Sequence, residues 1–274
     1  MIIDDSSLRG LTDKIVAICR LASDAIMDIY DGEELPEVEL KEDSSPVTKA
    51  DKAAHTIIVG ELFKLTPDLP ILSEEQDAPN YQERKQWQAY WLVDPLDGTK
   101  EFIDRNGEFT INIALIDDGR PVLGVVFVPL EGRAYCGAKD SGAWSITSEG
   151  KVPLHVVGVP KERVRVLISR RNHSRDLDEC LSKLQLGFGE VDAIESGSAL
   201  KFCRLAEGRG DIYPRFSPCC EWDTAAGQAV LEAAGGELLT VEYSRFLYNQ
   251  KESLINPHFY AIGGRLSEWR SKLP

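Results

Sequence analysis

Between residues 91 and 102 the chain reads Trp91-Leu-Val-Asp94-Pro95-Leu96-Asp97-Gly98-Thr99-Lys-Glu-Phe102. An apolar run ends on Asp94. Pro95 fixes φ and removes a donor, and Gly98, just after Asp97, permits close backbone approach. Such a turn can aim Asp94, Asp97 and the Leu96 carbonyl at one point. The Gly98 and Thr99 amides then open a short helix, whose free N–H groups and dipole attract a phosphate. Hard divalent cations take oxygen ligands, and every candidate here is oxygen. Alone, an acidic turn of this kind reads first as an ordinary turn.

Other segments add weight. Glu74 follows the apolar Leu69-Pro70-Ile71-Leu72 and Ser73, so it stands at a strand end. Asp223 opens a helix in Glu221-Trp222-Asp223-Thr224-Ala-Ala-Gly227, and Asp51 opens another in Thr48-x-x-Asp51, a capping-box spacing. A two-metal phosphatase site needs such a group, with at least one carboxylate bridging ions ~3.5–4 Å apart. Two carboxylates 4 Å apart repel by ~4 kcal/mol at an effective dielectric of 20, so a cluster needs a cation. Each residue also has a plainer role, Glu74 as a solvated strand end and Asp51 and Asp223 as helix caps. Spacing alone does not show that they meet.

The elements that would position them fall into two patterns. Residues 7–30 carry an apolar stripe of helical period, and a second helix runs from Lys49 to Leu65, ahead of Pro67. Residues 31–46, charged and containing Pro36 and Pro46, read as a loop or flap. Strands are expected at 69–72, 91–93, 109–116, 122–128, 134–138 and 143–146, with a hairpin turn at Asp117-Asp118-Gly119. Beyond residue 160 strands at 164–168, 191–194, 211–213 and 237–239 alternate with helices at 175–185, 198–207 and 222–234. The expected class is α/β: an α+β lobe over 1–158 and an α/β lobe over 159–274, closely packed because no Gly/Ser-rich spacer separates them.

Composition narrows the function. The formal net charge of -14 argues against nucleic-acid polymers as partners, which select a basic face. An acidic protein that takes an anionic substrate needs a bound cation to invert the local field. No stretch approaches the ~18–20 apolar residues of a membrane span, and Met1–Ser7 brings two aspartates rather than the cationic start of a secretory signal. The six cysteines include no C-x-x-C pair, which disfavours a zinc site or disulfide framework, and adjacent Cys219 and Cys220 read as a reduced surface turn. The cytoplasm is the natural compartment.

Taken together, these segments resemble the lithium-sensitive inositol monophosphatase superfamily, and most closely its branch of bacterial 3′(2′),5′-bisphosphate nucleotidases. The likeness rests on Ser45-Pro-Val-Thr48-x-Ala-Asp51, Leu72-Ser-Glu74-Glu75, the Asp94-to-Phe102 segment, Asn106-Gly-Glu-Phe-Thr-x-Asn-Ile-Ala-Leu-Ile116, Leu200-Lys-Phe-Cys203 and Trp222-Asp223-x-Ala-Ala-Gly227. It implies a layered α/β/α/β/α sandwich. It implies Mg²⁺ held by Glu74, Asp94, Asp97, Asp223 and the Leu96 carbonyl, and an attacking water oriented by Asp51 and Thr99. Ser198, Lys201 and Arg215 resemble residues that hold the nucleotide and its second phosphate, and the substrate would also lie against Glu74, Leu96, Asp97, Gly98, Thr99 and Asp223. The loop Ser169-Arg170-Arg171-Asn172-His173 departs from the Ser-Arg-Ser-His of relatives, so which of its cations meets substrate is open. The tail after Pro257 has no assigned role. The implied activity is removal of the 3′-phosphate of adenosine 3′,5′-bisphosphate, with 3′-phosphoadenosine 5′-phosphosulfate as a second substrate, in sulfur assimilation. It would act in the cytoplasm or at the cytoplasmic face of the inner membrane. The rivals are an inositol monophosphatase or sugar bisphosphatase of the same fold, and a non-catalytic nucleotide sensor. The sequence gives no oligomeric state.

Overall fold

The computed structural model describes residues 5–32, 38–40, 46–171 and 173–274. Residues 33–37 and 41–45 of the expected 31–46 loop, Ser45 among them, and Asn172 lie outside these. Helix α1 (Asp5–Tyr30) buries Leu8, Ile15, Cys19, Ala22 and Ile26 along one stripe. The described pieces of the 31–46 segment are not simple loop. β1 (Val38–Leu40) pairs antiparallel with β2 (Pro46–Thr48), where Pro46 takes the edge-strand start that proline tolerates. Helix α2 (Lys49–Leu65) begins as expected. The Thr48 side chain accepts the Ala50 N–H, while the Asp51 carboxylate accepts the Thr48 N–H.

A seven-stranded sheet follows, assembled almost wholly from neighbours in the chain: β3 (Ile71–Ser73), β4 (Ala89–Asp97), β5 (Thr110–Asp117), β6 (Arg120–Val128), β7 (Arg133–Ala138), β8 (Gly142–Thr147) and β9 (Gly150–Leu154). β3 and β4 run parallel, with α3 (Tyr81–Arg84) between them, and every later pairing is antiparallel. The second sheet has the order β11-β10-β12-β14-β13, from β10 (Arg163–Ile168), β11 (Glu190–Glu195), β12 (Ile212–Arg215), β13 (Glu237–Thr240) and β14 (Phe259–Ile262). β14 runs antiparallel to both neighbours. The short β9 and the tail strand β14 escaped the sequence reading. β9 is mostly exposed, so no alternation marks it, and the four residues of β14 are all buried, which leaves no period.

The layers follow from which faces are apolar. α1 and α2 cover one face of the seven-stranded sheet. α6 (Leu200–Ala206) and α7 (Ala225–Ala233) fill the space between the two sheets, and α5 (Arg175–Phe188) covers the outer face of the second. α8 (Leu266–Trp269) closes that outer core with fully buried Trp269. The result is an α/β/α/β/α sandwich. The central layer is tight. A Cβ on Gly137 of β7 would stand 2.4 Å from the Ala229 carbonyl of α7, and one on Gly227 of α7 would stand 2.4 Å from the Phe202 ring of α6. Bare glycines therefore let α7 lie directly on the sheet, which brings the turn before α7 up to β4 and β5.

Candidate active site

Strand register places the first carboxylates. Ser73 pairs with Val93, so Glu74 leaves β3 beside Asp94, and the Glu74 N–H donates to the Val93 carbonyl at 3.1 Å. Asp94 pairs with Asn112, but Asp97 pairs with Thr110, so the β4–β5 ladder is irregular between them. The Leu96 N–H folds back on Asp94 Oδ1 at 3.1 Å. Gly98 follows with φ of +94°, where a side chain would crowd the Glu108 carbonyl at 3.1 Å, and helix α4 (Thr99–Ile103) starts there. Asp223 reaches the same place from the short 3₁₀ turn Glu221–Asp223 ahead of α7. Its Oδ2 accepts the Cys220 N–H at 2.8 Å, and the Cys220 thiol accepts the Asp223 N–H in return.

Carboxylate oxygens of Glu74, Asp94 and Asp223 all lie within 4.8 Å of one another. Burial, then Glu74, Asp97 and Asp223, push the Asp94 carboxyl well above its ordinary range. Asp223 is pushed up to about 8, by burial and then by Asp97 and Glu74. Asp97 is also raised by burial, but Lys201, the Asn112 amide and the Ala199 N–H pull against that. An all-oxygen, mutually repelling set, with Asp94 buried and Glu74, Asp97 and Asp223 half-buried around it, fits a hard divalent cation. The repulsion has a measurable consequence. A carboxyl whose folded pKa exceeds its unfolded value binds its proton more tightly when folded. The stabilisation is therefore present at low pH and lost as pH rises, here from near 3.8 to about 8 for Asp223. In a chelator the thermal midpoint should fall as pH is raised from 5 towards 8, and saturating divalent cation should flatten that slope. An equal slope with and without cation would contradict the cluster.

Asp51 divides its two oxygens between two jobs. Oδ2 accepts the Thr48 N–H and the Thr48 hydroxyl, both at 2.7 Å, and Oδ1 accepts the Thr99 hydroxyl at 3.1 Å. The Thr99 hydroxyl is also 3.4 Å from the Leu96 carbonyl. Asp51 is 1% exposed, and burial raises its pKa despite the Thr48 hydrogen bonds. The cap and the link to Thr99 thus coexist in one side chain.

A cavity of about 170 Å³ opens beside these groups, its lining including Asp97, Gly98, Asp223, Ser198, Lys201, Tyr213 and Arg215. Lys201 is buried, its ammonium donating to the carbonyls of Ser196 at 3.1 Å and Ser198 at 2.7 Å. Burial and then Arg215 bring its pKa down to about 8, with Asp97 opposing. Burial disfavours the Arg215 cation, but Tyr213, Cys219 and Asp223 outweigh it and hold the guanidinium above its ordinary range. Arg215 donates to the carbonyls of Ser217 at 3.1 Å and Pro218 at 3.0 Å. Of the basic loop, Arg171 lines the cavity and pairs with Glu101 and Asp104, whereas Arg170 pairs with Glu108 and Glu195.

Several groups were not anticipated. Asn112 donates to Asp97 Oδ2 at 3.2 Å and shares its strand face with Ala114 and Ile116. A polar Thr110-x-Asn112 on a strand buried on both faces was the available signal. The Ala199 N–H, 2.6 Å from the same Asp97 oxygen, is a backbone donor and carries no side-chain signal. Cys219 lines the cavity half-buried instead of sitting on a surface turn.

No helix among the described residues is long and apolar enough to cross a membrane. The sequence matches the inositol monophosphatase family over residues 8–271. It is 48% identical over 256 residues to the 3′(2′),5′-bisphosphate nucleotidase CysQ of Escherichia coli K12, covering 91% of this chain and 98% of that protein. The crystal structure of CysQ from Bacteroides thetaiotaomicron, a bacterial member of the inositol monophosphatase family, matches with a TM-score of 0.81 at 36% identity, over 92% of this chain and 97% of that one. An IMPase from Thermotoga maritima shares the fold, with a TM-score of 0.74 at 21% identity over 93% and 92% of the two chains. The match begins in α1 and runs past the last strand, so sequence and architecture agree along the whole molecule: the chain belongs to the inositol monophosphatase family.

Proposed function

We propose that this protein is a Mg²⁺-dependent 3′(2′),5′-bisphosphate nucleotidase that hydrolyses adenosine 3′,5′-bisphosphate to AMP and phosphate, and also accepts 3′-phosphoadenosine 5′-phosphosulfate. The name of its CysQ relatives supports the reading, and phosphatases of this family are metal-dependent. The observation that carries it is one cavity lined both by the carboxylates of Asp97 and Asp223 and by the cations of buried Lys201 and half-buried Arg215. The carboxylates suit a reacting phosphate under a cation, the cations a second phosphate on the same molecule. The cytoplasm is the compartment we propose, from the cysteine pattern.

Glu74, Asp94, Asp97, Asp223 and the Leu96 carbonyl would hold Mg²⁺, which when bound neutralises phosphoryl charge, acidifies a water and stabilises the leaving 3′-oxygen. The remaining work falls to the chain. Thr99, its hydroxyl hydrogen committed to Asp51, has lone pairs left to accept from the attacking water. Asp51, fixed by two donors from Thr48 and bonded to the Thr99 hydroxyl, would take that water's proton through Thr99. The Gly98 and Thr99 amides face the phosphoryl oxygens. Ser198, Lys201 and Arg215 grip the second phosphate and orient the first. In this reading residues 1–158 form the lobe with most metal ligands, and residues 159–274 supply the nucleotide grip and Asp223.

Phosphate release over a substrate panel tests this. Adenosine 3′,5′-bisphosphate should be cleaved at the 3′ position and left phosphorylated at 5′, and inositol 1-phosphate should be a poor substrate. Losing a charge-assisted anchor costs about 1.5–3 kcal/mol, roughly 10- to 150-fold. Arg215→Ala should impose that penalty on kcat/KM for the bisphosphate and leave inositol 1-phosphate little changed. Equal or faster turnover of inositol 1-phosphate by the wild type would move the protein to another branch of the family. Tight nucleotide binding without any turnover would make it a sensor.

A further inference from the structure

Among the contacts that join residues 1–158 to residues 159–274 beside the cavity, one carboxylate gathers three donors. Glu108 stands in the loop between α4 and β5, its side chain 15% exposed. Its Oε2 accepts from Arg170 Nε at 2.9 Å and from the Gly197 N–H at 2.8 Å, and its Oε1 accepts from an Arg204 guanidinium nitrogen at 3.2 Å. All three donors come from the C-terminal lobe. Burial raises its pKa, but Arg170, the Gly197 N–H and Arg204 outweigh that, so the group stays charged. The contact is close: a Cβ on Gly197 would lie 2.9 Å from both the Glu108 Cβ and its carbonyl.

What Glu108 holds is the segment that aims two site residues. Ser198 has φ of +42°, a left-handed backbone that serine keeps only where its surroundings impose it. The next N–H, from Ala199, bonds to Asp97 at 2.6 Å, and the Ser196 and Ser198 carbonyls on either side of Gly197 receive the Lys201 ammonium. Lys201 also lies over the Tyr213 ring, 5.1 Å from its centroid, but both hydrogen bonds its ammonium makes go to carbonyls of the segment Glu108 pins.

We infer that Glu108 is a positioning residue for substrate choice: by anchoring residues 196–199 it holds Lys201 where a second phosphate on the substrate meets it. This rests on the reading of Lys201 and Arg215 as the grip on that phosphate. A neutral glutamine can keep one oxygen for Gly197 and Arg170, but it turns an NH2 towards Arg204 and removes the negative charge that both guanidiniums pair with.

The experiment compares kcat/KM for adenosine 3′,5′-bisphosphate and adenosine 3′-monophosphate in wild type, Glu108→Gln, Arg204→Gln and Asp192→Asn. Asp192→Asn breaks only the exposed Arg163–Asp192 pair and serves as the control. Wild type should prefer the bisphosphate. Glu108→Gln should cut that preference by about tenfold, mainly through KM for the bisphosphate, as loss of charge-assisted bonds implies. Arg204→Gln should move the ratio the same way by less, and it decides the matter if Glu108→Gln does not fold. The control should leave the ratio alone. An unchanged ratio in both cavity variants overturns the inference. So does an equal fall for both substrates with a lowered thermal midpoint, which marks a merely structural tie. A wild type with no preference for the bisphosphate overturns the underlying reading instead, and is recognisable before any variant is made.

Discussion

Asp223→Asn should yield a folded protein that releases essentially no phosphate, a loss of roughly 10³-fold or more, the scale for removing a preorganised electrostatic group from a reacting centre. The asparagine oxygen can still accept the Cys220 N–H, so the turn ahead of α7 keeps its cap. What disappears is a negative charge within 4.8 Å of the Glu74 and Asp94 carboxylates. Two opposite effects follow. Turnover collapses because the proposed cation loses a charged ligand, yet the metal-free variant should melt higher than metal-free wild type near pH 8, because one source of repulsion is gone. The gain in thermal midpoint on adding Mg²⁺ should shrink as well. Near-normal activity at moderate Mg²⁺, or a variant that melts lower than wild type in chelator, would remove Asp223 from the cation site.

Asp51→Asn should lower kcat by about 10²- to 10⁴-fold, the usual contribution of a positioned proton acceptor, with little change in substrate affinity. The interaction with the attacking water belongs to the transition state, so kcat and kcat/KM should fall together. An amide at this position can offer its oxygen to Thr48 or to Thr99, not to both, whereas the carboxylate serves both. Stability should therefore drop by no more than the ~0.5–2 kcal/mol that a lost helix cap costs. Steady-state kinetics and thermal melting on one preparation separate the roles. A melting shift with kcat unchanged would leave Asp51 as a cap alone.

The legibility of this site in the sequence was uneven, for identifiable reasons. α2 was readable to the residue because Thr48 and Asp51 cap it reciprocally and Pro67 lies just beyond its end. The Asp94-to-Thr99 segment was only partly readable: a turn was expected straight after Asp94, whereas β4 runs on through an irregular register to Asp97 and only Gly98 turns the chain into α4. Convergence was not readable. Glu74 meets Asp94 only through parallel pairing with β4, and Asp223 arrives across the sheet because α7 lies on bare Gly124 and Gly137. Asn112 was hidden for the same reason, as its partner Asp97 is set by an irregular strand register. Glu108 was hidden because its partners, the Gly197 N–H and the Arg170 and Arg204 side chains, lie 62 to 96 residues away in the chain.

The insertion of β14 between β12 and β13 fixes the order in which this molecule can become active. Every pairing in the seven-stranded sheet joins strands adjacent in the chain, so each is available soon after it leaves the ribosome. The other sheet cannot join β12 to β13 until residues 259–262 have emerged, and such sequence-distant pairings form slowly. Until then the faces of α6 and α7 turned towards the second sheet lack the cover of Phe259 and Ala261. A nascent chain stalled before Phe259 would carry Glu74, Asp94 and Asp97 in a finished sheet, while the incomplete second sheet next to Lys201 and Arg215 stayed open to chaperones and proteases.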